Sequence, residues 1–210
     1  YYVIVSGYKS KNYNIKYDNG TIKINPYTVK ASEFSLLETA FEYCNQAIKP
    51  KVVNTLNATE GIDYTVTYEN NFNAGKGTLK IKCKGNYLGE IEKEFTISKK
   101  SATISAQSYS IIYGNSIPEF KYFVLGVYDN DKTINGEISI SCTVDENANE
   151  GSYDIIISGY QSDNYTFEYN NAKLLITPKE LNDSNIQVNA YEYMYTGSNI
   201  ECEIVVKDNE

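Results

Sequence analysis

Thr78-Leu79-Lys80-Ile81-Lys82-Cys83-Lys84 decides the fold. Apolar side chains at 79, 81 and 83 alternate with lysines at 80, 82 and 84, and a period of two residues is that of a strand with one buried and one solvated face. Tyr64, Val66 and Tyr68 alternate in the same way with Thr65 and Thr67, as do Phe95 and Ile97 with Glu94, Thr96 and Ser98. Between them, Asn70 to Gly77 and Lys84 to Gly89 are rich in the Asn and Gly that turn a chain. Further along, Thr103 to Gln107, Tyr109 to Tyr113, Phe120 to Leu125, Ile138 to Thr143, Tyr153 to Ser158, Tyr165 to Tyr169 and Lys173 to Thr177 read as short strands at regular spacing.

The chain also repeats itself. Tyr2-Val3-Ile4-Val5-Ser6-Gly7-Tyr8-Lys9-Ser10-Lys11-Asn12-Tyr13 lies over Asp154-Ile155-Ile156-Ile157-Ser158-Gly159-Tyr160-Gln161-Ser162-Asp163-Asn164-Tyr165, an offset of 152 residues, and 12 of the 26 pairs from Tyr1 to Pro26 are identical. Ser32 with Ser184, Tyr43 with Tyr195, Ile48 with Ile200 and Val53 with Val205 continue the same offset. A unit this long is two small modules, with boundaries near Pro26-Tyr27, Lys99-Lys100 and Pro178-Lys179. The expected organisation is the end of a B module (1–26), an A module (27–99), a B module (100–179) and the start of a second A module (180–210). Ser32 to Phe41 taken alone fits a capped helix or a strand; its counterpart, Ser184 to Tyr193, alternates like a strand, so a strand is expected in both.

Composition fits this pattern. The 210 residues include 21 Tyr, 24 Asn and 23 Ile but four Pro and one Met, a mixture suited to strands and polar turns. Nineteen lysines, with no arginine, face 27 Asp and Glu; the net charge of −8 argues against nucleic acid or an anionic membrane surface as the main partner. No apolar run approaches the ~20 residues of a membrane-spanning helix, so no membrane insertion is expected of this stretch. The absence of His removes His-based metal sites, triads and proton shuttles. The chain opens and closes inside strand patterns, with no initiator Met or signal peptide, and reads as a piece of a longer protein. Cys44, Cys83, Cys142 and Cys202 lack the close spacing of a zinc or redox motif; they read as buried free thiols, with a Cys44–Cys83 disulfide as the alternative.

The fold class expected is therefore all-β: small Ig-like β-sandwich modules in an elongated tandem array. A short helical turn in Tyr128 to Asn135 keeps a β-grasp-like arrangement open for the B module.

Ile112-Tyr113-Gly114-Asn115-Ser116-Ile117-Pro118-Glu119-Phe120, then Gly126-Val127-Tyr128-Asp129-Asn130-Asp131, Glu150-Gly151-Ser152-Tyr153, Ser162-Asp163-Asn164-Tyr165 and Leu174-Leu175-Ile176-Thr177-Pro178, resemble in residues and order the MBG domain of the YGX type. The resemblance covers the B module and its partial copy. It implies a long extracellular bacterial protein, with such domains in tandem and an association with adhesion. Gly61-Ile62-Asp63-Tyr64-Thr65-Val66-Thr67-Tyr68, Asn73-Ala74-Gly75-Lys76-Gly77-Thr78 and Lys84-Gly85-Asn86-Tyr87-Leu88-Gly89 look like Ig-like repeats of surface proteins from anaerobic Gram-positive bacteria. Phe41-Glu42-Tyr43-Cys44 departs from the Tyr-x-Gly of such repeats, which Tyr195-Thr196-Gly197 keeps. Neither resemblance carries catalytic residues.

Asp129, Asp131, Asn135, Gly136 and Glu137 mimic a calcium loop, but the spacing is not that of an EF-hand, and Asp145 to Glu150 reads as a solvated turn. The acids are scattered instead of paired across a cleft, and no motif for a Lys–Asn isopeptide crosslink stands out. No enzyme, metal or cofactor is expected. Most tyrosines fall in strand patterns and read as core. Tyr8 and Tyr160, after the Ser-Gly turns, and Tyr87, in a turn-rich stretch, are the candidates for a binding surface or a seam between modules. The expected role is a stalk or spacer of a secreted or surface-attached bacterial adhesion protein, whose partners are neighbouring modules of the same chain. Two alternatives are direct binding of host glycan or mucin, and homotypic association into a surface fibre.

Overall fold

The computed structural model describes residues 1–188, 192–201 and 204–207. They form an all-β protein in which the helical elements described are two single 3-10 turns, Ala31–Glu33 and Asp183–Asn185. The chain divides into two compact units: residues 1–100 with 128–133 and 162–166, and residues 101–127, 134–161 and 167–210.

In the first unit the strands are β1 (Tyr2–Val3), β2 (Gly20–Thr21), β3 (Tyr27–Thr28), β4 (Phe34–Leu36), β5 (Ala40–Glu42), β6 (Val52–Asn54), β7 (Tyr64–Glu69), β8 (Gly75–Cys83), β9 (Tyr87–Leu88) and β10 (Glu90–Ser98). The main sheet runs β5-β10-β8-β7, with β5 parallel to β10 and the other pairs antiparallel. The alternation of 78–84 does what the sequence requires. Leu79, Ile81 and Cys83 are buried with Tyr64, Ile91, Phe95 and Ile97 on one face. The other face carries Lys80 between Glu69 (2.7 Å) and Glu92 (3.7 Å), Lys82 on Glu90 (2.8 Å) and Lys76 on Glu94 (3.4 Å). Such exposed pairs contribute about 0–1 kcal/mol each, so the buried face dominates. The Phe95 ring lies over Gly77, its cross-strand partner; a Cβ at 77 would come within 2.3 Å of that ring. The Ser32 segment makes one turn and then a strand. The Lys30 N–H donates to Glu33 Oε2 at 2.7 Å, and β4 pairs with β6.

In the second unit, β11 (Lys100–Ala106) and β16 (Tyr165–Asn170), both of which begin in the first unit, lie with β13 (Tyr122–Leu125) in the order β13-β11-β16. Their companions β12 (Tyr109–Ile112), β14 (Ser139–Cys142), β15 (Gly151–Ser158) and β17 (Ala172–Thr177) form a sheet ordered β12-β17-β15-β14. Ile155, Ala172, Leu174 and Ile176 are buried, with Ala106, Tyr109, Ile111, Phe120, Ile140 and Cys142 packed against them, so side chains of both sheets share one sandwich core. β18 (Ile186–Val188) pairs with β19 (Ile204–Val206), at the same offset from β4 and β6 that the sequence repeat has.

Three expectations need correction. Residues 128–135 hold turns and no helix, because the Asp131 side chain accepts the Thr133 N–H at 2.9 Å and closes the chain locally. This removes the helix that a β-grasp-like arrangement needs. The tyrosines read as core are not all buried: Tyr13 is 76% exposed, in an irregular segment. Cys83 is buried, but Cys44 and Cys142 are only half-buried; all three are free thiols, without the Cys44–Cys83 disulfide. Cys202 lies outside the described residues.

Candidate functional site

Asp131, a buried carboxylate of the first unit, accepts four hydrogen bonds. Tyr43 follows edge strand β5, whose parallel pairing with β10 carries the Tyr43 N–H onto the Ser98 carbonyl at 2.9 Å. The Tyr43 ring is fully buried, edge-on to Tyr165 (5.4 Å), Phe72 (5.9 Å) and Tyr128 (6.3 Å). Its hydroxyl donates to Asp131 Oδ2 at 2.9 Å, and the Tyr165 hydroxyl donates to the same oxygen at 2.8 Å. The backbone N–H of Thr133 (2.9 Å) and its hydroxyl (2.7 Å) satisfy Oδ1. Beside it, Asn164 is 2% exposed: its Oδ1 accepts the Ala74 N–H at 2.7 Å and its amide donates to Asn73 Oδ1 at 3.0 Å. Lys100 reaches Glu42 at 3.1 Å and sits 5.1 Å from the centre of the Tyr128 ring.

Electrostatics fix the protonation states. Burial raises the pKa of Tyr43 and Tyr165 above the ordinary phenol value. Burial also pushes Asp131 up, but the hydrogen bonds from Thr133, Tyr165 and Tyr43 outweigh it and hold the carboxyl below its usual range. Near neutral pH the phenols stay neutral and the carboxylate stays charged. The cluster therefore ties residues 128–133 and 162–166 to Tyr43 and residues 73–74. Asp131, part of the calcium-like loop in sequence, spends both oxygens on this network.

Of the three tyrosines singled out in sequence, the side chains of Tyr160 and Tyr87 are held by local contacts. Tyr8 is 77% exposed. Tyr160 is half-buried against the Phe167 ring at 5.9 Å. Tyr87 lies in the two-residue strand β9 and not in a loop; it is half-buried, edge-on to Tyr27 at 6.5 Å, and its hydroxyl donates to the Leu56 carbonyl at 3.2 Å. In Asp145 to Glu150, the Asp145 carboxylate accepts the Asn147 N–H at 2.9 Å, the ordinary bond of a turn. A cleft of about 570 Å³ in the second unit is lined by Tyr113, Asn149, Glu150, Pro178, Lys179, Leu181 and Val206, apolar side chains together with an amide, a carboxylate and an amine.

Sequence reasoning missed the Tyr43–Asp131–Tyr165 network, although a signal for two of its members was present. Tyr43 and Tyr165 recur at the repeat offset as Tyr195 and Tyr13, and Asn164 recurs as Asn12.

Two family models match the chain. Residues 102–175 match the MBG domain (YGX type), and residues 9–105 match the lipoprotein associated domain. The first carries the motifs read above from Gly114 to Leu175; the second takes in residues 27–99, which look like Ig-like repeats in sequence. No curated protein matches the chain. Together the two matches point to a segment of a bacterial cell-surface protein.

Proposed function

We propose that this segment is a spacer in an adhesion protein of the bacterial surface, a non-catalytic stalk piece whose standing partners are neighbouring modules of its own chain. The observation that carries this reading is what the repeat keeps. The Tyr17 hydroxyl donates to the Tyr8 carbonyl, and the Tyr169 hydroxyl to the Tyr160 carbonyl. Val5 N–H donates to Asn19 Oδ1, and Ile157 N–H to Asn171 Oδ1. Asn12 N–H donates to Ser10 Oγ, and Asn164 N–H to Ser162 Oγ. Every one of these pairs differs by the same offset. Outward charges do not recur, although the outward Tyr8 recurs as Tyr160: Lys9 matches Gln161, Lys11 matches Asp163 and Lys16 matches Glu168, with the charge reversed in the last two. A ligand site repeated along a chain keeps the exposed groups that touch ligand, whereas a repeated scaffold keeps the bonds that shape its backbone.

A second reading, glycan or mucin binding by the modules themselves, draws support from Tyr8 and Tyr160 following the same Ser-Gly turn, Tyr8 with its ring in solvent. A glycan and mucin array probed with the whole chain, free and clustered on beads, separates the two. A blank array at high valency is expected for a spacer. Binding that disappears in Tyr8→Ala and Tyr160→Ala overturns the spacer reading in favour of adhesive modules.

A further inference from the structure

We infer that edge strand β13 pairs with β13 of a second copy of this chain, joining two such segments side by side. Among the described residues, β13 is bonded on one side only within the sheet β13-β11-β16, to β11, from Ala106↔Tyr122 to Thr103↔Leu125. A strand at a sheet edge presents unpaired N–H and C=O groups, and soluble proteins blunt such edges with charges, prolines, bulges or covering segments. β13 has no charge and no proline in Tyr122-Phe123-Val124-Leu125, and all four side chains are exposed: 41%, 65%, 39% and 75%. The other edges of the three- and four-stranded sheets differ, although the largely exposed β18 and β19 of a two-stranded sheet also lack charge. β7 ends on Glu69 and turns threonines outward, β5 carries Glu42 held by Lys100, β16 turns out Thr166, Glu168 and Asn170, and β12 and β14 half-bury alternate residues.

The occupant follows from the chemistry of the edge. An uncharged strand is complementary to itself when two copies meet antiparallel about a two-fold axis. An axis normal to the sheet through Val124 sets Phe123 beside Leu125 of the second copy on one outer face, and Lys121 then meets an uncharged residue. At on the order of 100 Å² each, the eight partly exposed side chains of two such ridges remove at most roughly 800 Å² from water, below the ~1,000 Å² of a specific pair. The pairing is therefore weak singly and accumulates along a repeated chain. It rests on the spacer reading only for its cellular meaning, lateral bundling of stalks.

The test is sedimentation of the 210-residue chain over rising concentration at low and high salt. A reversible dimer is expected, strengthened by salt because the net charge of −8 is screened. Phe123→Lys with Leu125→Lys is expected to weaken it at least ~10-fold, with melting temperature unchanged because both side chains are exposed. Ile22→Lys with Ile24→Lys, at two other exposed isoleucines, is expected to leave it unchanged. Amides of 122–125 are expected to gain exchange protection only at high concentration. A chain that stays monomeric, or a dimer that survives the β13 change and is lost with the Ile22 and Ile24 change, overturns the inference. The array result bears on the spacer reading alone, so the two stand or fall separately.

Discussion

Residues 1–26 and 153–178 share sequence and local hydrogen bonds, yet the later copy is a sandwich wall and the earlier copy is largely open chain. Tyr2↔Thr21 and Val3↔Gly20 pair in the register of Asp154↔Lys173 and Ile155↔Ala172. The burial is opposite. Ile155, Ile157 and Leu174 are 0–2% exposed, whereas Val3, Val5 and Ile22 are 39%, 47% and 54% exposed. The difference is partners. The later copy has β11 beside β16 and β12 beside β17, whereas β1 and β2 of the earlier copy pair with each other as a two-stranded sheet. Side-chain-to-backbone bonds thus survive on local sequence alone, while a wide strand face forms only where another sheet covers it.

The largest effect that can break this comparison is Tyr165→Ala against Tyr13→Ala. The first removes a ring that is 2% exposed and bonded to Asp131, and is expected to cost about 3–5 kcal/mol in chemical denaturation. The second, at a ring 76% exposed, is expected to cost less than ~0.5 kcal/mol. Equal costs contradict the role given to partners.

Next comes the glycine of the Ser-Gly-Tyr turn. Gly159 has φ +138°, and a Cβ there would meet the Glu137 carbonyl oxygen at 2.0 Å; Gly7 has φ +99° with nothing within 4 Å. Gly159→Ala is expected to cost about 3 kcal/mol or more by melting, from strain plus a backbone clash. Gly7→Ala carries the strain without the clash and is expected to leave the main transition in place.

Asp131→Asn sharpens the comparison through pH. The carboxyl is held below its unfolded value, so its contribution is full above the ordinary carboxylate range and is lost as pH falls through the lower folded value. A neutral side-chain amide cannot reproduce the charge, and a loss of about 1.5–3 kcal/mol at neutral pH is expected, with a flatter acid limb. Tyr43 and Tyr165 work in the other direction. Their raised values mean that the contribution of the neutral phenols is full below the ordinary phenol value and is lost as pH rises through the folded one. Denaturant titrations from acid to alkaline pH check both limbs.

The smallest effect lies in the shared bonds. Asn171→Ala removes the acceptor of the Ile157 N–H (3.1 Å) and is expected to cost about 1 kcal/mol. Asn19→Ala removes the equivalent acceptor of Val5 (3.3 Å) in the open copy and is expected to move the melting curve by less than can be resolved.

Much of the fold was legible because a period of two is local. Leu79, Ile81, Phe95 and Ile97 are buried where their alternation puts them, and the shared register of the two copies follows from one repeat. Ser32 to Phe41 was ambiguous for a physical reason: the Lys30–Glu33 bond makes a helix-like start that lasts one turn before Phe34 enters a strand. The buried network was not legible. Tyr43 and Asp131 lie 88 residues apart, and nothing local tells a carboxylate meant for two phenols from one meant for a cation. Identity between Tyr13 and Tyr165 likewise says nothing about burial, which is set by strands elsewhere in the chain.

Amide hydrogen exchange across the whole chain tests the comparison most directly. Strong protection is expected at 155–157 and 172–176, and fast exchange at the matching positions 3–5 and 20–24. Equal protection of the two copies would contradict it, because strand formation would then follow from the repeated sequence without the covering sheet.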